Sequence, residues 1–272
     1  MFFFVILHQT HIFSAMKHFF ILLAIIIATT AGAQNTRKTT PKRPQTTTTR
    51  KNTKTTTPKS TSQAAYKDAA FNIKGKTHGY DDGEWVRLCT PGENGLVTRD
   101  SAKITNNEFR FTGKTKSIPH LQYITVGQGL KKNIVEVFLE EGTTQIELFA
   151  GEKRETVTGT THNNIYSAYR DSLNAIYTNL YACIRESVRL TNSEEDREAY
   201  KAGADLMRKK LTETSYIFAG KNMNNWVGVY LFAEYYKKFT PAQNKTLMAK
   251  VPAKYKNLPI MLEIKQFINK QK

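Results

Sequence analysis

The sequence predicts an α+β fold, in which an antiparallel β-sandwich or open barrel is followed by a C-terminal helical region. Short apolar runs with a period of two, separated by turn residues, extend from Ala69 to about Thr158 and are typical of antiparallel strands. From Thr161 onward, apolar residues recur every three or four positions, which indicates amphipathic helices. The predicted boundaries are 64–160 for the β-sandwich domain and 161–272 for the helical region.

Turn residues divide the first region into short predicted strands. The run Tyr80–Gly83 and the pair Asn106-Asn107 each precede an apolar run, so a chain reversal is expected at both places. Gly127-Gln128-Gly129 is predicted to be a hairpin turn, because a phosphate-binding loop would be followed by a helix and strand-like residues follow instead. The predicted strands are Phe71–Gly75, Trp85–Cys89, Phe109–Phe111, Leu121–Val126, Ile134–Leu139 and Gln145–Phe149.

Two long helices are predicted next. The first carries an apolar stripe, with steps of three and four residues, from Tyr166 to Leu190. Ser193 is followed by three acidic residues, which is the pattern of a helix N-cap with negative charge in the first turn. The second helix therefore begins there, and the Asn222–Asn225 segment ends it.

Shorter helices complete the predicted fold. Apolar residues from Trp226 to Tyr236 form a third helical stripe. The sequence Thr240-Pro241-Ala242-Gln243 combines an N-cap, a proline at the first helical position and a capping-box glutamine. The helix that it opens is expected to end near Pro252, and Pro259 is predicted to open the last helix.

Residues 1–33 are predicted to be an export signal. Met16-Lys17-His18 supplies a positive segment, Phe19 to Ala28 an apolar segment, and Ala31-Gly32-Ala33 a small-residue cleavage site. Residues 1–15 are interpreted as the product of a start codon assigned too early. The alternative to cleavage is an uncleaved N-terminal anchor. The predicted signal makes a periplasmic or extracellular location the expectation. Because no cysteine follows the signal, the mature chain is expected to be soluble and not lipidated, and no transmembrane span is expected in it.

Residues 34–63 are predicted to be a disordered basic arm rich in threonine, lysine and proline. The arm has too little apolar surface to offset the entropy of ordering it, and its like charges repel one another. Two interpretations stay open: a flexible spacer, and electrostatic attachment to an anionic envelope surface such as lipid head groups or acidic glycans. The positive residues of the arm are Arg37, Lys38, Lys42, Arg43, Arg50, Lys51, Lys54 and Lys59.

The net charge of +17 is unevenly distributed. Without the arm and Lys17, 31 basic residues remain against 23 acidic ones, so the rest of the chain carries only about +8. Nucleic acid is not an expected partner. An exported chain does not meet the genome, and no aromatic residue in the basic arm is available to stack on bases.

Cys89 and Cys183 are the only cysteines, and they lack the spacing of a redox motif. An oxidising compartment would allow them to form a disulfide, but two buried thiols are the favoured prediction. Cys183 lies on the apolar stripe of the first helix, which favours a core position over a reactive thiol. A redox or a structural role for both thiols stays open.

No catalytic motif, metal-binding motif or cofactor-binding motif is present, so the sequence favours a protein without enzymatic activity and without a cofactor. The histidines His78, His120 and His162 lack the spacing of metal ligands. The acidic groups Asp81-Asp82 and Glu140-Glu141, like that after Ser193, are explained by a turn, a strand end and a helix start.

Aromatic residues are abundant in the helical region. Most of them lie at helical spacing, so core packing is favoured over a ligand groove. The candidate aromatic surface consists of Tyr177, Tyr181, Trp226 and Tyr235.

Four ordered segments of the β region resemble a domain of unknown function. They are Phe71–Gly75, Ile104–Gly113, Val137–Gly142 and Val157–Thr160. In many secreted Gram-negative proteins this domain precedes a thioredoxin-like module of the peroxiredoxin/thiol-specific antioxidant type. The helix from Asn163 is similar to the helical connector of that family, and the resemblance extends over roughly residues 69–270. No C-x-x-C motif follows, so the resemblance implies no thiol-disulfide activity for this chain.

Three functional hypotheses follow. The favoured one is a non-catalytic binding or accessory module of the cell envelope, which binds an envelope protein or an anionic envelope surface. The second is an accessory to thiol-disulfide exchange that acts with a separate thioredoxin-like protein. The third is an envelope hydrolase whose catalytic groups converge only in three dimensions.

Overall fold

The computed structural model describes residues 69–116, 118–127, 132–151 and 153–271. The predicted signal peptide, the basic arm and most of the predicted turn at Gly127-Gln128-Gly129 lie outside these residues. Eight strands occur in the described part of the chain. They are β1 (Ala69–His78), β2 (Trp85–Gly92), β3 (Gly95–Lys103), β4 (Glu108–Thr115), β5 (His120–Val126), β6 (Asn133–Leu139), β7 (Gly142–Phe149) and β8 (Thr156–Thr158).

The strands form two four-stranded sheets. Sheet A has the order β4-β1-β7-β8 and sheet B the order β3-β2-β5-β6. All pairings are antiparallel except that of β1 with β7, which is parallel. The two sheets do not close into a barrel, so the predicted α+β fold with an open antiparallel arrangement is confirmed.

Alternate residues of both sheets point into a shared apolar core. Ile73 and Ile146 enter it from sheet A, and Val86 and Ile124 enter it from sheet B. Each of these four side chains is at most 1% exposed. The period-two pattern of the sequence therefore reports one buried face on each strand, as expected for a sandwich.

Glycines in two neighbouring strands make room for aromatic rings. A Cβ atom on Gly75 would lie 2.0 Å from the ring of Phe109, and one on Gly113 would lie 2.8 Å from the ring of Phe71. The register pairs Gly75 with Phe109 and Phe71 with Gly113 across β1 and β4. Two of the segments that carry the family resemblance are thus matched to each other by packing.

The helices form a third layer over part of sheet B. Leu121 and Phe138 are paired across β5 and β6, and both contact the helical core, whereas Val137 and Leu139 face the core between the sheets. β6 is consequently buried on both faces, and six of its seven residues are buried. The helices are α1 (Thr161–Ser187), α2 (Glu194–Lys221), α3 (Trp226–Tyr235), α4 (Pro241–Lys250) and α5 (Pro259–Lys270), with a short 3₁₀ helix at Ala253–Tyr255.

The predicted helix starts are found at the expected residues. The Ser193 side chain accepts a hydrogen bond from the Asp196 amide, and Thr240 and Gln243 form the complete capping box. Asn225, in the segment that separates the second and third helices, caps α3. The predicted stripe was wrong at its far end, because α1 stops at Ser187 and Leu190 is 91% exposed. Among the described residues, no helix combines the length and the apolar character needed to cross a membrane.

Candidate functional site

A cluster of tyrosines and glutamates lies where the outer face of sheet B meets α1 and α3. Its centre is Glu136 on β6, which is paired across the sheet with Tyr123 on β5. The Tyr166 hydroxyl on α1 donates a hydrogen bond of 2.9 Å to Glu136 Oε2. Arg170, one turn further along α1, approaches the same oxygen at 3.8 Å. The Glu136 side chain retains 27% exposure, so solvent reaches the cluster.

Tyrosines on α1 extend the cluster along the helix. The hydroxyls of Tyr169 and Ser215 are 2.7 Å apart. Tyr177 stacks on Tyr181 with ring centroids 6.2 Å apart, and the Tyr235 hydroxyl on α3 interacts with those of Tyr169 and Tyr177. Spacings of three, eight and four residues place Tyr166, Tyr169, Tyr177 and Tyr181 on one face of α1.

The electrostatics of the cluster are dominated by two carboxylates. Burial raises the pKa of Glu234 on α3, and the nearby charge of Glu136 raises it further, while Lys238 opposes the shift. Glu234 as a residue remains exposed to solvent, so an ion from solution can reach it. Burial also raises the pKa of Tyr123 and Tyr230, so these phenols stay neutral at physiological pH.

Within the described residues, the glutamates of the cluster are only partly neutralised. Arg170 is shared between Glu136 and Glu155. Lys238 lies 5.1 Å from the ring centroid of Tyr235. Among the described residues Glu234 forms no ion pair, and Glu136 shares Arg170 with Glu155, so the negative charge of these two glutamates is incompletely compensated in a chain whose overall charge is +17.

The position of α1 is fixed by Glu140, the residue after β6. Thr160 at the N-cap makes no capping hydrogen bond to the helix amides. Glu140 Oε1 instead accepts hydrogen bonds from the amides of His162 and Asn163, at 3.0 and 3.2 Å, and Oε2 lies 2.5 Å from His162 Nδ1. A carboxylate at a helix N-terminus is favoured by the helix dipole, so Glu140 attaches α1 to the end of β6.

Asn163 joins α1 to both sheets. The side chain of this residue, which is 1% exposed, accepts a hydrogen bond from the Phe138 amide at 2.8 Å and donates one to the Phe138 carbonyl at 2.9 Å. Its amide nitrogen also lies 2.8 Å from Thr160 Oγ1 and 3.2 Å from Thr144 Oγ1 on β7. Two segments of the family resemblance, Val137–Gly142 and Val157–Thr160, therefore meet at this side chain.

Glu140→Gln is expected to lower the free energy of unfolding by about 2 kcal/mol at neutral pH, since charge-assisted hydrogen bonds at the start of α1 are weakened. Burial alone would raise the pKa of Glu140, but the hydrogen bonds from His162 and Thr160 outweigh it and hold the pKa below the ordinary value. The stabilisation from the carboxylate is therefore present above pH 4.5 and is lost as the pH falls below it.

Urea unfolding of the wild type and Glu140→Gln between neutral and acidic pH checks this prediction. The difference between the two proteins should shrink as the pH falls. Glu141→Gln is the matched control, because Glu141 is the exposed neighbour. Equal effects of the two substitutions, or a difference that does not change with pH, would contradict the prediction.

The predicted aromatic surface is only partly assembled. Tyr177, Tyr181 and Tyr235 lie together in the cluster, whereas Trp226 is at the opposite end of α3 and packs on Tyr255, with ring centroids 5.2 Å apart. The two ends of α3 are about 13 Å apart, at 1.5 Å per helical residue. Trp226 is therefore not part of the tyrosine–glutamate cluster.

Both cysteines are free thiols in the structure. Cys89 is buried in β2, where its Sγ lies 3.8 Å from the hydroxyls of Thr98 and Thr125. Cys183 is half-buried on α1 and packs against Gly203 of α2, where an added Cβ would be 3.0 Å from its Sγ. Cys183 is thus packed against the helical core but only partly buried, whereas two buried thiols were the favoured prediction.

The histidines and acidic groups considered in the sequence have separate local roles. His78 stacks on Phe149, and the His120 ring is 3.4 Å from the Thr115 hydroxyl. Asp82 accepts hydrogen bonds from the amides of Asn106 and Asn107, both of which have positive φ. In the part of the chain that the structure describes, no three His, Cys, Asp or Glu side chains are grouped so that they could hold a metal ion.

Sequence reasoning missed Glu136, Glu234 and Arg170. None of them belongs to a local motif, and they come from a strand and two different helices. One signal was present, because Glu136 is the only charged residue inside the apolar run Ile134–Leu139.

Comparison with known proteins places a family match on the β region. Residues 71–166 match a family described as a domain of unknown function (DUF4369). The match runs from β1 to the first turns of α1 and contains all four segments on which the resemblance was based, so that resemblance is confirmed there. Residues 167–270, which the predicted resemblance also covered, lie outside it, and it includes no thioredoxin-like module. No protein of curated function matches the chain.

Proposed function

We propose that the protein is an exported, non-catalytic binding module of the cell envelope, and that the tyrosine–glutamate cluster binds a lysine or arginine side chain of an envelope protein. The observation that carries this proposal is the incompletely compensated negative charge of Glu136 and Glu234 beside half-buried tyrosine rings. The predicted N-terminal signal supports export to the envelope and gives no information about the ligand.

Charge complementarity is the first argument for this ligand. Burial and the charge of Glu136 both disfavour ionisation of Glu234. A cation bound beside Glu234 would favour the ionised carboxylate and would in turn be attracted by that charge. Glu136 already has Arg170 and Tyr166 as partners, which leaves the exposed Glu234 as the carboxylate that a ligand would approach.

Ring geometry is the second argument. Cations are attracted to the faces of aromatic rings, and the effect increases as the site is desolvated. Lys238 already lies over the ring of Tyr235, and the stacked pair Tyr177 and Tyr181 lies next to that ring. A half-exposed tyrosine also loses little side-chain entropy when it makes a contact.

The test uses two synthetic peptides of equal length, one containing lysine and leucine and the other containing glutamate and leucine, titrated calorimetrically into the purified protein. Because the chain carries +17, a cationic peptide is repelled unless a local negative site attracts it. We expect the lysine peptide to bind, and Glu234→Gln to weaken it about tenfold, which corresponds to the loss of one charged partner.

Glu213→Gln is the matched control for this experiment. Glu213 is exposed on α2, on a different face of the helix from Ser215, which contacts Tyr169 of the cluster, and its substitution removes the same charge. Absence of binding, tighter binding of the glutamate peptide, or equal effects of the two substitutions would overturn the proposal.

Hydrolysis is a second candidate function, and one observation favours it. Glu136 and Glu234 are coupled carboxylates, and the pKa of one of them is raised, which is the arrangement of an acid paired with a base. Incubation of the protein with envelope glycan and peptide, followed by mass spectrometry of the products, distinguishes the two candidates. Cleavage that is lost in Glu136→Gln and in Glu234→Gln supports hydrolysis, and intact substrate rejects it.

A further inference from the structure

Among residues 69–272, the net positive charge lies in the segment that contains the last helices. Residues 69–235 contain 21 basic and 21 acidic residues, and so have no net charge. Residues 236–272 contain nine lysines and a single acid, Glu263. We call the described part of this segment, residues 236–271, the basic lobe. It comprises α4, the 3₁₀ helix and α5, and its lysines are Lys237, Lys238, Lys245, Lys250, Lys254, Lys256, Lys265 and Lys270.

The lysines of the basic lobe are exposed and form no ion pairs within the described residues, although Lys237, Lys238 and Lys254 lie over tyrosine rings. All eight are exposed, and none forms an ion pair with a carboxylate of the described residues. Glu263 accepts a hydrogen bond from the Tyr236 hydroxyl at 2.7 Å instead. In residues 69–235, Arg154, Arg170 and Arg208 each have an acidic partner, and lysines without an ion pair are offset because the whole segment has as many acidic as basic residues. The field of the basic lobe is therefore directed at solvent and at whatever approaches from it.

The kind of cation indicates the kind of anion. The basic lobe contains lysine and no arginine. Arginine provides the planar fork that recognises individual phosphates or carboxylates, whereas lysine acts as a point charge and suits a diffuse anionic surface. Tyr236, Phe239 and Tyr255 are at most 7% exposed, and the partly buried Phe267 packs edge-on against Tyr236, so the described part of the lobe presents no row of exposed rings for the bases of single-stranded nucleic acid.

An exposed apolar residue among the lysines favours a lipid surface over a soluble polyanion as the partner. α5 buries Met261, Ile264 and Ile268 and leaves Leu262 45% exposed, three residues before Lys265. Basic helices with an apolar residue at the surface bind at the boundary between head groups and acyl chains. A glycan chain provides no apolar phase for Leu262.

We propose that the basic lobe binds the head groups of an anionic lipid bilayer. This surface borders the tyrosine–glutamate cluster at Lys238, which stays unchanged in the variants below, and the proposal does not depend on that cluster binding a peptide. The basic arm, where it adds its own charges, contributes equally to every variant below.

Co-sedimentation with vesicles tests the proposal, using phosphatidylcholine alone and phosphatidylcholine mixed with phosphatidylglycerol. We expect binding only to the anionic vesicles, and weaker binding as salt is raised. Replacing Lys245, Lys250, Lys265 and Lys270 by glutamine should reduce the affinity on the order of 100-fold or more, at about fivefold for each lysine near the surface.

The matched control replaces four exposed lysines of the neutral part, Lys74, Lys76, Lys114 and Lys209, by glutamine. It changes the net charge by the same amount and should retain most of the binding. Equal losses in the two variants would overturn the proposal, since binding would then follow total charge. So would a lack of preference for anionic vesicles.

Leu262→Gln distinguishes a lipid ligand from a glycan ligand, because it removes the exposed apolar side chain and leaves the net charge unchanged. It is expected to weaken vesicle binding and to leave the retention of the protein on a heparin column unaltered. Unchanged vesicle binding by this variant, together with a loss of heparin retention in the four-lysine variant, would overturn the lipid proposal in favour of an acidic glycan. Circular dichroism of each variant verifies that the helices are intact.

Discussion

Asn163→Ala is expected to lower the free energy of unfolding by about 3–5 kcal/mol, because it removes several hydrogen bonds in a site that water does not reach. The amide and carbonyl of Phe138 would both lose their partner in the asparagine side chain, and Thr144 would lose one of its contacts. Each buried polar group left without a partner costs about 1–3 kcal/mol. A loss of this size is a large share of the stability of a typical domain.

Chemical denaturation followed by far-UV circular dichroism measures the effect. Asn164→Ala is the control, because Asn164 is the next residue and accepts only an exposed hydrogen bond from the Gly159 amide. We expect it to cost about 1 kcal/mol or less. If the two substitutions were equally costly, the role assigned to Asn163 would be wrong.

Arg170→Met is expected to destabilise the protein by about 3–5 kcal/mol, since it leaves a buried carboxylate without its cation. The side chain of Glu155 is 2% exposed and pairs with Arg170, and the pKa of Arg170 is raised by the carboxylates of Glu155 and Glu136 despite its own burial. Glu136 is partly exposed and would be hydrated after the substitution. The main loss therefore comes from Glu155.

A double-mutant cycle provides the measurement. Arg170→Met combined with Glu155→Met should recover most of the stability, because an apolar pair of similar volume replaces the buried ion pair. Arg154→Met is the control: the Asp171 side chain that Arg154 contacts is 70% exposed, and such pairs contribute about 0–1 kcal/mol. A small effect of Arg170→Met, or no recovery in the double variant, is the opposite of what we expect.

The strands with one buried face could be predicted from the sequence, and two others could not. β3 has no apolar alternation, because none of its nine residues is buried and six of them are exposed, as β3 lies at an edge of sheet B. β8 has only three residues, too few to establish a period. The period of two also fails in β6, where Phe138 faces the helices and Val137 faces sheet A, so both kinds of position are apolar.

Helix starts were predictable because capping is local. Ser193 and Thr240 each act on an amide three residues ahead, and that distance is visible in a linear sequence. The start of α1 was not predictable in the same way, because its amides are satisfied by Glu140, 22 residues earlier in the chain. A cap supplied from another element leaves no short motif.

The residues of the candidate site were likewise predictable only where they lie close together in the sequence. The sequence grouped Tyr177 and Tyr181 correctly, since they are one helical turn apart, but it added Trp226 and omitted Glu136 and Glu234. Convergence of residues from β6, α1 and α3 depends on the packing of three elements. The basic lobe is a different case, because its eight lysines and one acid could have been counted directly from the sequence, whereas a single net charge for all residues after the arm concealed them.

The parallel pairing of β1 with β7 has a consequence for the rate at which the chain folds. Asn72 and Thr143 are partners in this pairing although 71 residues separate them, whereas β2–β3 and β5–β6 join neighbouring segments. Closing so long a loop costs entropy before any contact compensates for it, and high contact order slows folding. The hairpins of sheet B can therefore form early. The edge of β1 that pairs with β7 stays without hydrogen-bond partners until the segment that begins at Gly142 has folded against it.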